Sequence, residues 1–310
     1  MKVKILHCIS FYLLEDIFSE CHQSLLKSIQ SIKYKNFENK IMIIANSKLS
    51  NKKFYESNPI NIIIETKNLG FTGSANFSFQ YALKHGYDAV NLINQDIIFP
   101  RKTIPSLLKE FNTYKNKKKI GILSPLQLNH NSELDHKMSE NLKNLIIKNR
   151  KFKNNLLKVD FVNAACWLIN IDLIKLLGSM NYLLDHFGSD DDYVRRMNKT
   201  QFNIFLLPMI KIYHLRSFYN KKNAMHDYSV KQLVSEIHSY IFIKILEKRS
   251  FFFILFVMIS KVVKKIYQGK ITINTFFKIF NIRLLLNIYK IYKCREKIYM
   301  PFIYKSNILI

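Results

Sequence analysis

The run Asn94-Gln95-Asp96 ends an apolar stretch, and Ile97, Ile98 and Phe99 resume it at once. A carboxylate in such company is costly to bury unless it is paired or coordinated. A hard divalent cation is held by one or two carboxylates together with phosphate oxygens, so Asp96 is a candidate metal anchor. The alternative is a turn or helix N-cap aspartate ahead of Pro100. Further along, Asp190-Asp191-Asp192 stand just before Arg195 and Arg196. Adjacent carboxylates push at least one pKa up towards the range of a general base, and arginines pair with an acid or with phosphate. In a helix Asp192 and Arg196 share a face. The same run also suits an acidic helix start that complements the helix dipole. His214, closing the run MIKIYH, is either a strand-end metal ligand or an ordinary polar residue. Finally, Asn68 to Asn76 hold Gly70 and Gly73 among small residues at a helix entry. Such a turn lets an anionic ligand approach the backbone, and a tight strand-to-helix connection uses the same residue types.

These groups need a scaffold, and the periodicity supplies one. KVKILHCI, KIMIIAN, NIIIET and YDAVNLI read as four buried strands, with helical periodicity from Leu13 and again from Phe71 to Gly86. Strand–helix alternation over the first hundred or so residues predicts a mostly parallel α/β sheet. Ligands of such sheets bind outside the carboxyl ends of the strands, which is where Asp96 falls. The stretch 101–156 is less regular, with a helix after Pro105 and no element assigned to IGILSPLQLNHNSELDH. LKVDFVNAACWLIN reads as a pair of buried strands, followed by the helix IDLIKLLG. From about residue 225 the strand rhythm stops and aromatic, lysine-rich helical patterns take over. The expected division is therefore 1–224 and 225–310.

The chain of 310 residues carries 48 Lys+Arg against 22 Asp+Glu, a net charge of +26. That balance points to an anionic partner, although lysine, asparagine and isoleucine are abundant throughout, as in an AT-rich genome. Four cysteines have neither zinc nor disulfide spacing and read as buried hydrophobes in a reducing compartment. The opening residues lack the apolar core and cleavage site of a signal peptide. The longest apolar run, FFFILFVMI, has nine residues, far short of the roughly 18 a membrane span needs. A cytoplasmic protein, free or peripheral at the membrane, is the expectation.

In order along the chain, NLGFTGSANFSFQYAL with YDAVNLINQD, then VNAACWLI, then GSDDDYVRR, then IYHLRS resemble the family 2 glycosyltransferases of bacterial surface-polysaccharide synthesis, in the branch often labelled rhamnosyltransferase-like. The resemblance covers about residues 1–220. It implies a GT-A fold, a Rossmann-like mixed sheet flanked by helices, and inverting transfer from a nucleotide-diphosphate sugar of UDP or dTDP type. It further implies a divalent metal, Mg²⁺ or Mn²⁺. On this resemblance Asn68, Gly70 and Asn76 match the donor-side turn and helix. Asn94-Gln95-Asp96 matches the acidic metal motif in a one-carboxylate form, with Asp96 on the metal. Asp190 matches the catalytic base and Asp192 its support, with Asp191 between them as the other carboxylate that could serve as base. Arg196 matches the family arginine, and His214 a histidine that completes the metal shell. Trp167 falls where the acceptor-side wall begins.

Two positions depart from the pattern. The second strand ends Ala45-Asn46-Ser47 where the family has Asp-Asn-x-Ser, which leaves Asn46 as the donor-side residue there. The first ends Cys8-Ile9-Ser10-Phe11 in place of a Thr-Tyr-Asn-like turn. Both touch recognition of the nucleotide base.

From 241 to 310 there are 14 Lys+Arg against two Glu, with Phe, Ile and Tyr interleaved. A basic aromatic helix suits an anionic membrane surface, and hence a lipid-linked glycan acceptor; a helical cap with a solvated lysine face is the alternative. No nucleic-acid-binding motif accompanies the charge. A nucleotidyltransferase would carry a glycine-rich phosphate loop near the N-terminus, and ILHCISFYLLED has none. A catalytically degenerate scaffold that binds a partner or glycan is the non-enzymatic alternative.

Overall fold

The computed structural model describes residues 2–33, 36–135, 144–146, 156–181 and 188–215, with isolated positions between 250 and 267. The proposed boundary at 224 and nearly all of the basic region, with Cys294, lie outside the described residues.

Four strands open the chain. β1 (Val3–Phe11) is followed by α1 (Glu15–Gln30), β2 (Phe37–Ala45) by α2 (Lys52–Glu56), and β3 (Asn61–Glu65) by α3 (Gly70–Lys84), before β4 (Ala89–Asn94). They are parallel, in the order β3-β2-β1-β4. The central residues of β1, β2 and β4 are buried, which is why these strands read as apolar runs, while β3 at the sheet edge is only half-buried. Register aligns their carboxyl ends: Ser10 pairs with both Ile44 and Asn94, and Ala45 with both Phe11 and Glu65. The loops beginning at Tyr12, Asn46, Thr66 and Gln95 therefore sit side by side along one edge.

Beyond β4 come β5 (Ile97–Ile98), α4 (Thr103–Tyr114), β6 (Ile120–Leu128), β7 (Leu157–Val159), β8 (Cys166–Asn170), α5 (Ile171–Leu177), α6 (Ser189–Met197) and β9 (Asn203–His214). Among the described residues all nine strands form one mixed sheet. β8 inserts antiparallel between β4 and β6, β9 runs parallel to β6, and β5 and β7 pair antiparallel with β9. Along β9 the register jumps: Leu207 pairs with Pro125, but the next partner of β6, Leu126, meets Lys211. Pro208 lies in the segment thrown out by this bulge, where its missing N–H costs no ladder bond. The bulge carries the end of β9 across to β5, and His214 pairs with Ile97.

The two sheet faces bury separate apolar layers. Phe18 and Leu25 of α1 with Leu108 and Phe111 of α4 cover Ile9 and Ile43 on one side. Phe79 of α3 and Tyr193 of α6 cover Leu92 and Trp167 on the other. Cys8, Cys21 and Cys166 are buried free thiols, as expected, and burial pushes all three upward, Cys8 to about 12. Two expectations shift. IGILSPLQL is a fully buried strand, β6, and the helix at Pro105 starts two residues earlier, at Thr103, with the proline in the first turn where it lacks no partner.

Candidate functional site

Asp96 occupies the turn between β4 and β5 and caps no helix; the N-cap of α4 is Lys102. Its backbone carbonyl accepts from Leu215 N at 2.9 Å, which fixes the turn against the end of β9. There His214 Nε2 stands 3.3 Å from Asp96 Oδ1. The other ring nitrogen, Nδ1, lies 3.0 Å from Asp135 Oδ2. His214 and Asp135 are buried, while the Asp96 side chain keeps 24% of its surface. A carboxylate only accepts, so each ring nitrogen of His214 faces an acceptor, Nδ1 the buried Asp135 and Nε2 the more exposed Asp96. Two acceptors face to face need positive charge between them, and a proton or a cation supplies it.

The pair fits a divalent cation chemically: imidazole and carboxylate both bind Mn²⁺, and carboxylate suits Mg²⁺. Among the described residues no cluster of three or more His, Cys, Asp or Glu is arranged to hold a metal. Two side chains leave the remaining positions to phosphate oxygens and water, the usual pattern for Mg²⁺. Asp135 is the residue the sequence reading did not single out. It follows a turn in which Asn129 Oδ1 accepts from Asn131 N and Glu133 N, and its own N–H donates to Gln127 O at 3.1 Å. Only the return of that turn onto β6 brings it to His214; in sequence it is one acid in a polar stretch.

The donor-side turn is organised by Asn46. Its Oδ1 accepts from Leu69 N at 2.8 Å, and its Nδ2 reaches Ser10 Oγ at 2.9 Å and Ser74 Oγ at 3.0 Å. One buried amide thus ties the ends of β1 and β2 to the entry of α3. Asn68 is exposed and its Oδ1 accepts from Gly70 N at 2.9 Å, while Gly70 adopts φ 64°, a left-handed value glycine takes freely. Gly73 serves packing within the chain: a Cβ there would lie 2.8 Å from Leu69 Cβ. Gln95 tethers the loop after β1, accepting from Tyr12 N at 2.7 Å and donating to Tyr12 O at 3.0 Å. That loop places Leu13 and Leu14 at φ 53° and 54°, both exposed. Asn94 makes backbone bonds, its N–H donating to Ala165 O at 3.0 Å.

The acidic run forms the first turn of α6. Asp191 is exposed and Asp190 half-buried, with Asp190 Oδ1 accepting from Asp191 N at 3.0 Å. Asp192 is buried and accepts from Arg195 Nη2 at 3.0 Å and Arg196 Nε at 2.9 Å, which includes the intrahelical pair expected from the spacing. Arg196 also donates to Leu177 O and Ser179 O. Next to them Met180 exchanges two bonds with the buried Asn76 amide, at 2.7 and 3.0 Å. Asn76 and Arg196 therefore lock α3, the 177–180 turn and α6 together. Trp167 is fully buried on β8, opposite Leu92, with its Nε1 unpartnered; it lies in the core and offers no surface to a ligand.

No protein-family model matches this sequence, and no curated protein matches it. Solved structures do. One is the crystal structure of S. aureus TarS, residues 1–349, with a TM-score of 0.52 at 13% identity over 79% of this chain. The mixed, mostly parallel sheet flanked by helices matches a GT-A-like fold. The fold is GT-A-like. The chain spans 66% of the length of that TarS chain. In GT-A terms, the loops at Asn46, Asn68 and Asp96 share the edge of the sheet at which β-strand carboxyl ends face a ligand. Among the described residues no helix is long and apolar enough to cross a membrane.

Proposed function

We propose that this chain is an inverting, metal-dependent glycosyltransferase that moves a sugar from a nucleotide-diphosphate donor of UDP or dTDP type to a growing, lipid-linked surface glycan. The observation that carries the reading is the convergence of Asp96 and His214, 3.3 Å apart, at the strand edge of a GT-A-like sheet. Those two side chains would hold Mg²⁺ or Mn²⁺, whose charge would stabilise the departing diphosphate. The exposed Asn68 and the backbone N–H groups in the first turn of α3 would receive the donor phosphates.

Asp190 takes the proton from the acceptor hydroxyl as that oxygen attacks the anomeric carbon of the donor. Asp190 is half-buried in the first turn of α6, and Asp192, which two arginines hold, would support it from the same turn. The basic, aromatic C-terminal region would hold the enzyme at an anionic membrane face, close to a lipid-linked acceptor.

The deciding experiment measures thermal stabilisation by UDP, dTDP, GDP and CDP, with and without Mn²⁺, in the wild type and in Asp96→Ala. One nucleotide should raise the melting temperature only with metal, and only in the wild type. Absence of a shift with all four would overturn the donor site and favour a scaffold without turnover, a reading that the departure at Ala45 supports.

A further inference from the structure

We propose that Asp135 is a positioning residue for the metal site, holding His214 through Nδ1 so that Nε2 is presented to a divalent cation shared with Asp96; the inference rests on the metal-binding reading of Asp96 and His214. A buried carboxylate is retained at a cost unless it is hydrogen-bonded, and Asp135 meets His214 Nδ1 at 3.0 Å in a site where both side chains are only 2–3% exposed. Histidines that bind metals characteristically donate the other ring N–H to a carboxylate, which fixes the tautomer and ring plane and raises ligand basicity.

The arrangement is directional. Nδ1 points at the buried Asp135, and Nε2 points at Asp96, the more exposed of the two acids. A lone pair on Nδ1 would stand against a buried carboxylate, so Asp135 favours a proton on Nδ1, and a cation taken up between Nε2 and Asp96 is compatible with that proton. β9 fixes the backbone at His214, through the Ile97–His214 pairing and the Leu215 N to Asp96 O bond. Rotation about the side-chain torsions is what remains for Asp135 to restrain.

The test measures Mn²⁺ affinity directly, from loss of the free-ion EPR signal, for the full chain and the variants Asp135→Ala, Asp135→Asn and Asp96→Ala. Metal-free melting temperatures are recorded in parallel. Asp135→Ala should weaken Mn²⁺ binding about 10–100-fold. Asp135→Asn keeps an oxygen that accepts from Nδ1–H and should restore most of the affinity. Wild-type affinity in Asp135→Ala, with only its melting temperature lowered, would show a purely structural carboxylate and overturn the inference. Equal weakening in the Asn variant would overturn it too, since charge rather than orientation would then matter. Asp135→Ser, too short to reach Nδ1, replaces the alanine variant if that one does not fold. Failure of the underlying reading looks different: the wild type would bind no Mn²⁺, or Asp96→Ala would bind it equally well, and the inference would fall with it.

Discussion

Arg196 clamps two segments with one guanidinium: Nε donates to Asp192 Oδ2 at 2.9 Å, while Nη1 and Nη2 donate to Leu177 O and Ser179 O at 2.9 and 2.8 Å. Lysine cannot reproduce this fork, because its ammonium is a single point of charge. Arg196→Lys should therefore lower the free energy of unfolding, by an amount on the order of 3 kcal/mol if the buried Asp192 is left poorly compensated. Arg195, which still reaches Asp192 at 3.0 Å, keeps the loss below that of a second variant in which Arg195 is also replaced by lysine. Urea unfolding of both variants checks this; an unchanged midpoint in Arg196→Lys would show that the clamp adds no stability.

Asp190 and Asp192 sit two residues apart and face opposite demands. Asp190→Asn should leave the melting temperature and nucleotide binding as they are, and lower the turnover rate by about 10²–10⁴-fold, the usual contribution of a positioned general base. Asp192→Asn should instead lose stability, since a neutral amide cannot balance two arginines. Turnover and thermal melting, measured on both variants, separate the roles. Near-normal turnover in Asp190→Asn with loss in Asp191→Asn would move the base by one residue.

Much of the scaffold was legible because burial leaves a simple mark. β1, β2 and β4 have buried centres and so appear as apolar runs, and β3, half-buried at the sheet edge, still carries three consecutive isoleucines. β6 was missed although it is buried along its whole length, because Gly121, Ser124, Pro125 and Gln127 break up the apolar pattern. The identity of Asp96 and His214 as strand-edge residues could be read locally. Their proximity could not, since it depends on a β-bulge at Pro208 and on a pairing between residues more than a hundred positions apart. Asp135 was hidden for the same reason. Asn46, Asn76 and Trp167 show the converse: residue type and motif placed them near a ligand, whereas their hydrogen bonds or burial commit them to the chain itself.

His7 gives the fold a pH dependence independent of the site. It is fully buried in β1, its Nε2 3.0 Å from Asn39 Oδ1 and its Nδ1 3.1 Å from Asn91 Nδ2, so the two asparagines hold a neutral ring. Burial lowers its pKa from 6.5 to about 4, with the Asn39 bond opposing. Above pH 6.5 the ring is neutral whether folded or unfolded, and the shift has no effect. Between 6.5 and about 4 the unfolded chain takes up a proton that the folded chain refuses, so stability falls as the pH drops. The full loss from this residue amounts to about 3 kcal/mol once both states are protonated. His22, lowered chiefly by burial, acts in the same direction. His7→Gln should therefore flatten, without abolishing, the decline in unfolding free energy between pH 6.5 and 4, followed by urea titrations at half-unit steps. A slope as steep as the wild type's would assign the acid sensitivity to other groups.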